Sequence, residues 1–425
     1  MRYMNTTLTI TQASCADDYD PNSMPVASAR AFIHTFLSPV KGSARLPIRS
    51  ALGRVLSEDI VSPVNVPAHV NSAMDGWALR FDDWAGNPSA AFTEIGTSFA
   101  GKPFAGDIGK GQCVRIFTGG VVPAGCDAVV MQEKAEAQAK SIRFAAGVRP
   151  GQNVRHAGED LKQGAVALAK GRVVRPAELG LLASLGIGEV SVYRPLRVIF
   201  FSTGDELVSI GLPLDEGQIY DSNRYTLHGM LTRLGCEVID MGVVRDEPAL
   251  LEKAFRDASE IGDVVITSGG VSVGEADYVR QLLSKLGEVV FWKIAMKPGR
   301  PLAYGKIGNA HFFGLPGNPV SVMVTFYQFV RDALLTLQGV NPVPAQPLLK
   351  AICTSAIKKA RGRTEFQRGI LYLENGSYHV RTTGEQGSGI LTSMSDANCF
   401  IMLHDHVGNV DAGAMVEVQI LEGVI

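Results

Sequence analysis

Val264-Val265-Ile266-Thr267-Ser268-Gly269-Gly270-Val271-Ser272-Val273-Gly274-Glu275-Ala276-Asp277 is the stretch around which the rest of the chain is organised. An apolar, β-branched run stops in a Ser/Gly-rich turn and then meets two carboxylates. That is the pattern of a buried strand delivering a binding loop to the next helix. Glycines at 269, 270 and 274 let backbone N–H groups approach an anion with no Cβ in the way, and the following helix adds its positive end. Asp277 carries the opposite sign, so beside a phosphate it needs a divalent cation between them; Mg2+ takes one or two carboxylates plus phosphate oxygens. The stretch reads as phosphate plus metal. The alternative is a βα turn whose glycines relieve strain, with Glu275 and Asp277 as first-turn carboxylates.

Outward from this stretch, strands Arg197–Phe201, Cys236–Met241, Asp263–Thr267 and Glu288–Trp292 alternate with helices Asn223–Leu234, Pro248–Ser259 and Asp277–Leu286. Such alternation means βαβ units and a mostly parallel, doubly wound sheet, which binds ligands beyond the carboxyl ends of its strands. Residues 202–206 and 267–277 emerge there. Helix Pro319–Leu337 is apolar nearly all round, so it is buried in a core or against a partner subunit.

Upstream, Ala31, Phe32, Phe36 and Val40 suit an amphipathic helix, and residues 66–160 alternate short apolar runs with Gly, Pro and Asp, an all-β signature. A helix follows Pro176 and ends at Gly186. Beyond Pro342-Val343-Pro344, the last 80 or so residues form a second all-β unit. The expected class is α/β multidomain: a central doubly wound, mostly parallel sheet, two small β domains and a split helical/extended N-terminal subdomain. The expected divisions are a flexible extension 1–25, the split subdomain 26–62 with 161–192, a β domain 63–160, the central α/β domain 193–341 and a C-terminal β-barrel-like domain 342–425.

At 425 residues the chain has room for about three domains. It is 46% hydrophobic and 19% charged with net charge −2, a globular balance without the basic field that nucleic acid or lipid headgroups require. Its six cysteines lie far apart, with no C-x-x-C pair, and read as reduced core residues. The first 25 residues lack the parts of a signal peptide, and no segment reads as a membrane helix. A cytoplasmic protein is expected, with no nucleic-acid or membrane partner.

Other stretches read as site loops. Ser202-Thr203-Gly204-Asp205-Glu206 repeats the strand-to-hydroxyl–Gly–acid pattern, although a capped helix start would look the same. Lys293, Lys297 and Arg300 stand on a turn stiffened by Pro298, Gly299 and Pro301, supplying positive charge for an oxyanion. Gly314–Ser321 caps the apolar helix or binds an anion. Asn71–Trp77, with Arg115–Gly119, places Asp75 in an Asp-Gly turn. Phe366–Gly369 and Gly384–Ser388 add an Arg and a Ser, which with Lys293 and Lys297 would make a tetrahedral-oxyanion pocket. No Ser of these loops lies near a His in sequence, so covalent catalysis is not expected.

Taken jointly, Asn71–Ala78, Arg115–Gly119, Ser202–Leu207, Gly217–Asn223, Thr267–Asp277, Lys293–Pro301 and Leu315–Ser321 resemble, in the same order, the molybdopterin molybdenumtransferase family, MoeA and the gephyrin E domain. The resemblance implies Mg2+-dependent insertion of molybdate into adenylylated molybdopterin, with release of AMP. It implies catalytic positions at Asp75, Thr118, Asp160, Glu206, Asp246 and Asp277, with Asp246 and Asp277 as the Mg2+ ligands. It also implies a molybdate pocket of Lys293, Lys297, Pro298, Arg368 and Ser388, and a phosphate loop of Ser268, Gly269, Gly270, Ser272 and Gly274. A homodimer with its site at the subunit interface, and handover from a molybdopterin adenylyltransferase, are implied too. An adenylyltransferase on the same central unit and a non-catalytic gephyrin-like scaffold are the alternatives; the extra β domains oppose the first and the complete acidic set the second. Three positions depart from the family pattern. Trp77 replaces a tyrosine and still offers a flat face for a pterin, Arg300 replaces a lysine, and Glu385 replaces a histidine, where a carboxylate is repulsive to an oxyanion unless it points away.

Overall fold

The computed structural model describes residues 22–270 and 276–421, with the backbone alone at 276–280 and 291. Its first element is helix α1 (Val26–His34). The chain divides into two compact units, one of Arg45–Leu52 and Glu58–Ser191, the other of Met1–Ala44, Gly53–Ser57 and Val192–Ile425.

The smaller unit is built on strands β1 (Gly76–Leu79), β2 (Phe92–Ser98), β3 (Gln112–Ile116), β4 (Ala128–Met131), β5 (Ala135–Gln138) and β6 (Ser141–Phe144). They form one sheet in the order β4-β1-β3-β2-β6-β5. Side chains alternate across the pleat: Trp77, Leu79, Phe92, Cys113 and Val130 bury one face with Phe144, and Ala78, Ile116 and Val129 the other. Gly76 is demanded by crowding, because a Cβ there would run into the Val130 carbonyl. Helix α2 (Pro176–Ser184) starts on Pro at N1, and Glu178 reaches back to the Arg175 N–H at 3.0 Å. The short 3₁₀ turn Ile48–Ala51 packs on α2.

The larger unit holds β7 (Arg197–Thr203), α3 (Ser222–Arg233), β8 (Glu237–Val244), α4 (Pro248–Ile261), β9 (Val264–Ser268), α5 (Ala276–Leu286), β10 (Gly287–Lys293), β11 (Met296–Lys297), β12 (Pro301–Ile307) and β13 (Ala310–Leu315). The sheet order is β8-β7-β9-β13-β12-β10. The first four strands are parallel, and the last two join antiparallel. The sheet is therefore mixed, whereas βαβ alternation alone predicts β10 as a further strand of a mostly parallel sheet. The reason is connection length: β10 returns to β12 through residues 294–300, and β12 to β13 through Gly308-Asn309. Hairpins that short close only antiparallel pairs.

Helices cover both faces. Val198, Phe200, Val264, Ile266 and Phe313 pack against α1 and α3, while Ile199, Phe201, Val265 and Phe312 pack against α4 and α5. Helix α1 belongs to this core through Val26, Ala29 and Ile33. The helical run Pro319–Leu337 (α6) contains a π turn over Phe326–Val330. It is long and apolar enough to cross a membrane, but 83% of its apolar window is buried inside the protein, so of the two expected burials it takes the core.

Strands β14 (Leu348–Cys353), β15 (Thr364–Glu374), β16 (Ser377–Thr382), β17 (Cys399–Leu403) and β18 (Met415–Ile420) pair as β15-β16-β14-β18-β17, and β17 returns to β15. A sheet whose last strand meets its first has no free edge. Parallel pairing of β11 with β15, Met296 with Thr364 and Lys297 with Glu365, fastens this closed sheet to the central one.

His311 is buried on β13, its Nδ1 3.2 Å from the Tyr304 hydroxyl, and burial pushes its imidazole down to about 4. Between that value and the unfolded value of about 6.5, the unfolded chain binds a proton that the native chain refuses. Stability is therefore full above pH 6.5 and falls by about 3 kcal/mol as pH drops to 4. His311→Gln should flatten this part of the Tm-versus-pH curve; an equally steep curve for the variant would remove His311 as the cause.

Candidate active site

In the smaller unit Asp75 immediately precedes β1, and its Oδ1 accepts from the Thr118 N–H (2.7 Å) and the Thr118 hydroxyl (2.8 Å). These two bonds, assisted by Arg115, hold its carboxyl below the usual aspartate range. Asp75 and Thr118, distant in sequence, are thus one constellation. Asp160 sits on a separate exposed turn, where its N–H donates to the Val66 carbonyl. Trp77 does not offer the expected flat face. It is 6% exposed, its Nε1 donates to Glu94 Oε2 (2.7 Å), and the Arg115 guanidinium stands 4.2 Å over its ring. It points to the core because β1 alternates, and residue 77 falls on the buried face beside Phe144.

In the larger unit, polar groups begin where the apolar strands end. Ser202 on β7 pairs with Ser268 on β9, so both site loops leave side by side. Gly269 has φ +93° and any Cβ there would strike the Thr203 carbonyl, so glycine is needed for conformation and for close approach. Gly270 also has positive φ. The Ser268 hydroxyl accepts from Asn223 Nδ2 (2.9 Å), which also donates to the Gly317 carbonyl (2.7 Å), tying β9, α3 and the loop before α6 together. Glu206 folds back over Gly204, and the Asp246 N–H, just beyond β8, donates to Asp205 Oδ1 at 3.4 Å. Ser202 Oγ, Thr203 Oγ1, Asp221 Oδ2 and Asn223 Oδ1 are buried without a hydrogen-bond partner among the described residues. Ser272 and Gly274 lie outside the described residues; Asp277 is in the first turn of α5, and its side chain lies outside them too.

A cavity of about 830 Å³ opens between residues 293–301 with 316–321 and residues 356–368 with 382–388. It collects Lys293, Lys297, Pro298, Arg368 and Ser388, with Arg300 of the same cationic turn, all expected from the sequence, and adds Lys358 and Arg363. Arg368 is 1% exposed and spends its guanidinium on the protein: Nε donates to Ser393 Oγ (2.9 Å), Nη1 to the Gln386 carbonyl (3.1 Å) and Nη2 to the Gly387 carbonyl (2.9 Å). Burial lowers it to about 10, which leaves it cationic at neutral pH. It shapes the 385–388 loop that carries Ser388. Glu385 is exposed and the cavity's lining passes from Gly384 to Gln386 without it.

Sequence reasoning missed Asn223 as the tie between loops, and Lys358 and Arg363 as lining. The available signal was the run Lys358-Lys359-Ala360-Arg361-Gly362-Arg363, four cations in six residues. Among the described residues no group of three or more His, Cys, Asp or Glu could by itself hold a metal ion.

Thr118→Val, which keeps the shape and removes the hydroxyl, should raise the Asp75 pKa in a carboxyl NMR titration; an unchanged pKa would show that the backbone N–H alone sets it. Arg368→Met strands the carbonyls of 386 and 387 and should cost about 3 kcal/mol in denaturant unfolding. A loss under 1 kcal/mol would refute its role as the hub of that loop.

Three consecutive family profiles match the chain: the MoeA N-terminal region, domains I and II, over residues 24–186; the probable molybdopterin binding domain over 199–336; and the MoeA C-terminal region, domain IV, over 350–421. The chain is 49% identical over 376 residues to a molybdopterin molybdenumtransferase of Haemophilus influenzae, covering 88% of this chain and 93% of that protein. It is 33% identical to one of Bacillus subtilis, with 88% and 89% covered. The crystal structure of the molybdopterin biosynthesis MoeA protein of Pyrococcus horikoshii OT3 is similar at a TM-score of 0.80 and 30% identity, covering 94% of this chain and all of that one. Matched from residue 24 to residue 421 in the order that its site loops already imply, the chain belongs to the molybdopterin molybdenumtransferase (MoeA) family.

Proposed function

We propose that the chain is the transferase of molybdenum cofactor biosynthesis that inserts molybdate into adenylylated molybdopterin and releases AMP. The observation that carries this reading is the cationic cavity holding Lys293, Lys297 and Ser388, in the same compact unit as the paired loops 202–206 and 268–270. A tetrahedral dianion is matched by such a pocket. The close approach at Gly269 and the buried oxygens beside it, without partners among the described residues, suit a polar, phosphate-bearing ligand.

Mg2+ fits the donors present. Asp205, Glu206 and Asp246 offer only oxygen, the donor type that Mg2+ takes together with phosphate oxygens and water. Asp246 and Asp277 would hold it. When bound, it supplies Lewis-acid stabilisation of the pyrophosphate charge. Lys293 and Lys297 position molybdate, Ser388 donates to one of its oxygens, and the glycine loop, including Ser272 and Gly274 by the family pattern, orients the pyrophosphate for attack at phosphorus. Positioning and charge stabilisation do the work, without a covalent enzyme intermediate. Asp75, Asp160 and Glu206 complete the acidic set of the family, and Thr118 matches its threonine. We also propose the family's four-subdomain plan with a doubly wound central domain, a homodimer, a cytoplasmic location and delivery of the adenylylated pterin by an adenylyltransferase.

Purified Asp246→Asn and Asp277→Asn should keep the wild-type circular dichroism spectrum and lose at least about a hundredfold in molybdate-dependent AMP release, the scale of a lost charge-stabilising contact. Wild-type rates in both would remove the metal assignment. AMP formed without molybdate at the full rate would instead favour the adenylyltransferase or a hydrolase.

A further inference from the structure

We propose that the cationic cavity binds two anionic groups together, molybdate on one side and, through Lys358, a phosphate ester of the organic substrate on the other. This rests on the molybdate-pocket reading and extends it. The cavity's volume of about 830 Å³ belongs to the range of pockets that enclose organic ligands of several hundred Å³, far beyond one tetrahedral oxyanion. Among the described residues its lining carries six cationic side chains and one carboxylate, Glu365, which pairs with Arg363 at 3.2 Å and is 4% exposed.

Lys358 is presented to the cavity by a rigid segment. Ile357 exchanges both backbone bonds with Val410 (2.8 and 2.9 Å), and the Lys359 N–H, two residues on, donates to Asn409 Oδ1 (2.9 Å). Along an extended backbone neighbouring side chains face opposite ways. Lys359 turns inward, 6% exposed, with its Nζ on the Val407 and Ala360 carbonyls; Lys358 therefore turns outward, exposed, into the cavity. One ammonium anchors the segment and the adjacent one is left to meet a ligand. Chemistry identifies that ligand. Cleaving a pyrophosphate between pterin and adenylate, with an oxygen nucleophile bonding to the adenylate phosphorus, leaves one phosphate on AMP and one on the pterin. The pterin's phosphate stays in the site while the metal is inserted and needs a cation of its own.

The test uses calorimetric titration of the full chain with molybdate and with glycerol 2-phosphate as a phosphate-monoester probe. The unaltered chain should bind the ester equally well whether or not it is saturated with molybdate. Lys358→Gln should weaken the ester about tenfold, as expected for losing one charge-assisted contact, and leave molybdate affinity within about twofold. Lys297→Gln should do the reverse; if molybdate binding survives in it, the pocket reading fails, separately from the role of Lys358. The proposal is overturned if Lys358→Gln binds the ester as well as the unaltered chain does, if ester and molybdate exclude each other, or if a second molybdate takes the ester's place.

Discussion

Burial of β9 on both faces is the constraint on which the larger unit depends. Val264 and Ile266 pack under α1 and α3, Val265 packs under α4 and α5, and β7 and β13 take its backbone hydrogen bonds on either side. A strand enclosed in this way tolerates no unpaired polar group along its length. Polarity is therefore expelled to its carboxyl end, where Ser268 and Gly269 meet Thr203 and Asn223. Loops carrying hydroxyls, glycines and acids collect there because a strand end is where the enclosed backbone is released among polar neighbours, as Asp263 with Arg194 is at the amino end.

The closed C-terminal sheet contributes a second wall by a different device. Two residues of β11 pair with β15, which sets Lys297 beside Glu365 in register and brings the 356–368 segment to the Pro-Gly turn. Charge is then sorted by burial. Arg368 and Lys359 are desolvated and satisfied by carbonyls, so they act as internal ties, whereas Lys293, Lys297 and Lys358 face the cavity. Cations of one type thus serve two purposes, separated by whether water reaches the charged end.

Much of this was legible in the chain. The apolar runs of β7 and β9, the one-sided helices and the capped glycine loops announce an α/β unit and its strand-end loops, and Pro298-Gly299 marks a rigid cationic turn. Strands β12 and β13 were not read, although Gly308-Asn309 between two apolar runs is a hairpin signal. Consequently the antiparallel edge of the sheet was missed. Trp77 shows the other kind of failure: an aromatic after Asp-Gly looks like a ligand face until the alternation of β1 turns it into the core.

By itself the sequence determined the local chemistry: which segments alternate or repeat at helical spacing, where glycine permits close approach, and which residue types gather in each loop. Only the tertiary structure decided which of those residues act together. Whether Arg368 is a tie or a contact, whether Glu385 lines the cavity, and which of Lys358 and Lys359 faces it depend on register and on burial. Both arise from pairing between segments far apart in the chain, and local patterning carries no record of that.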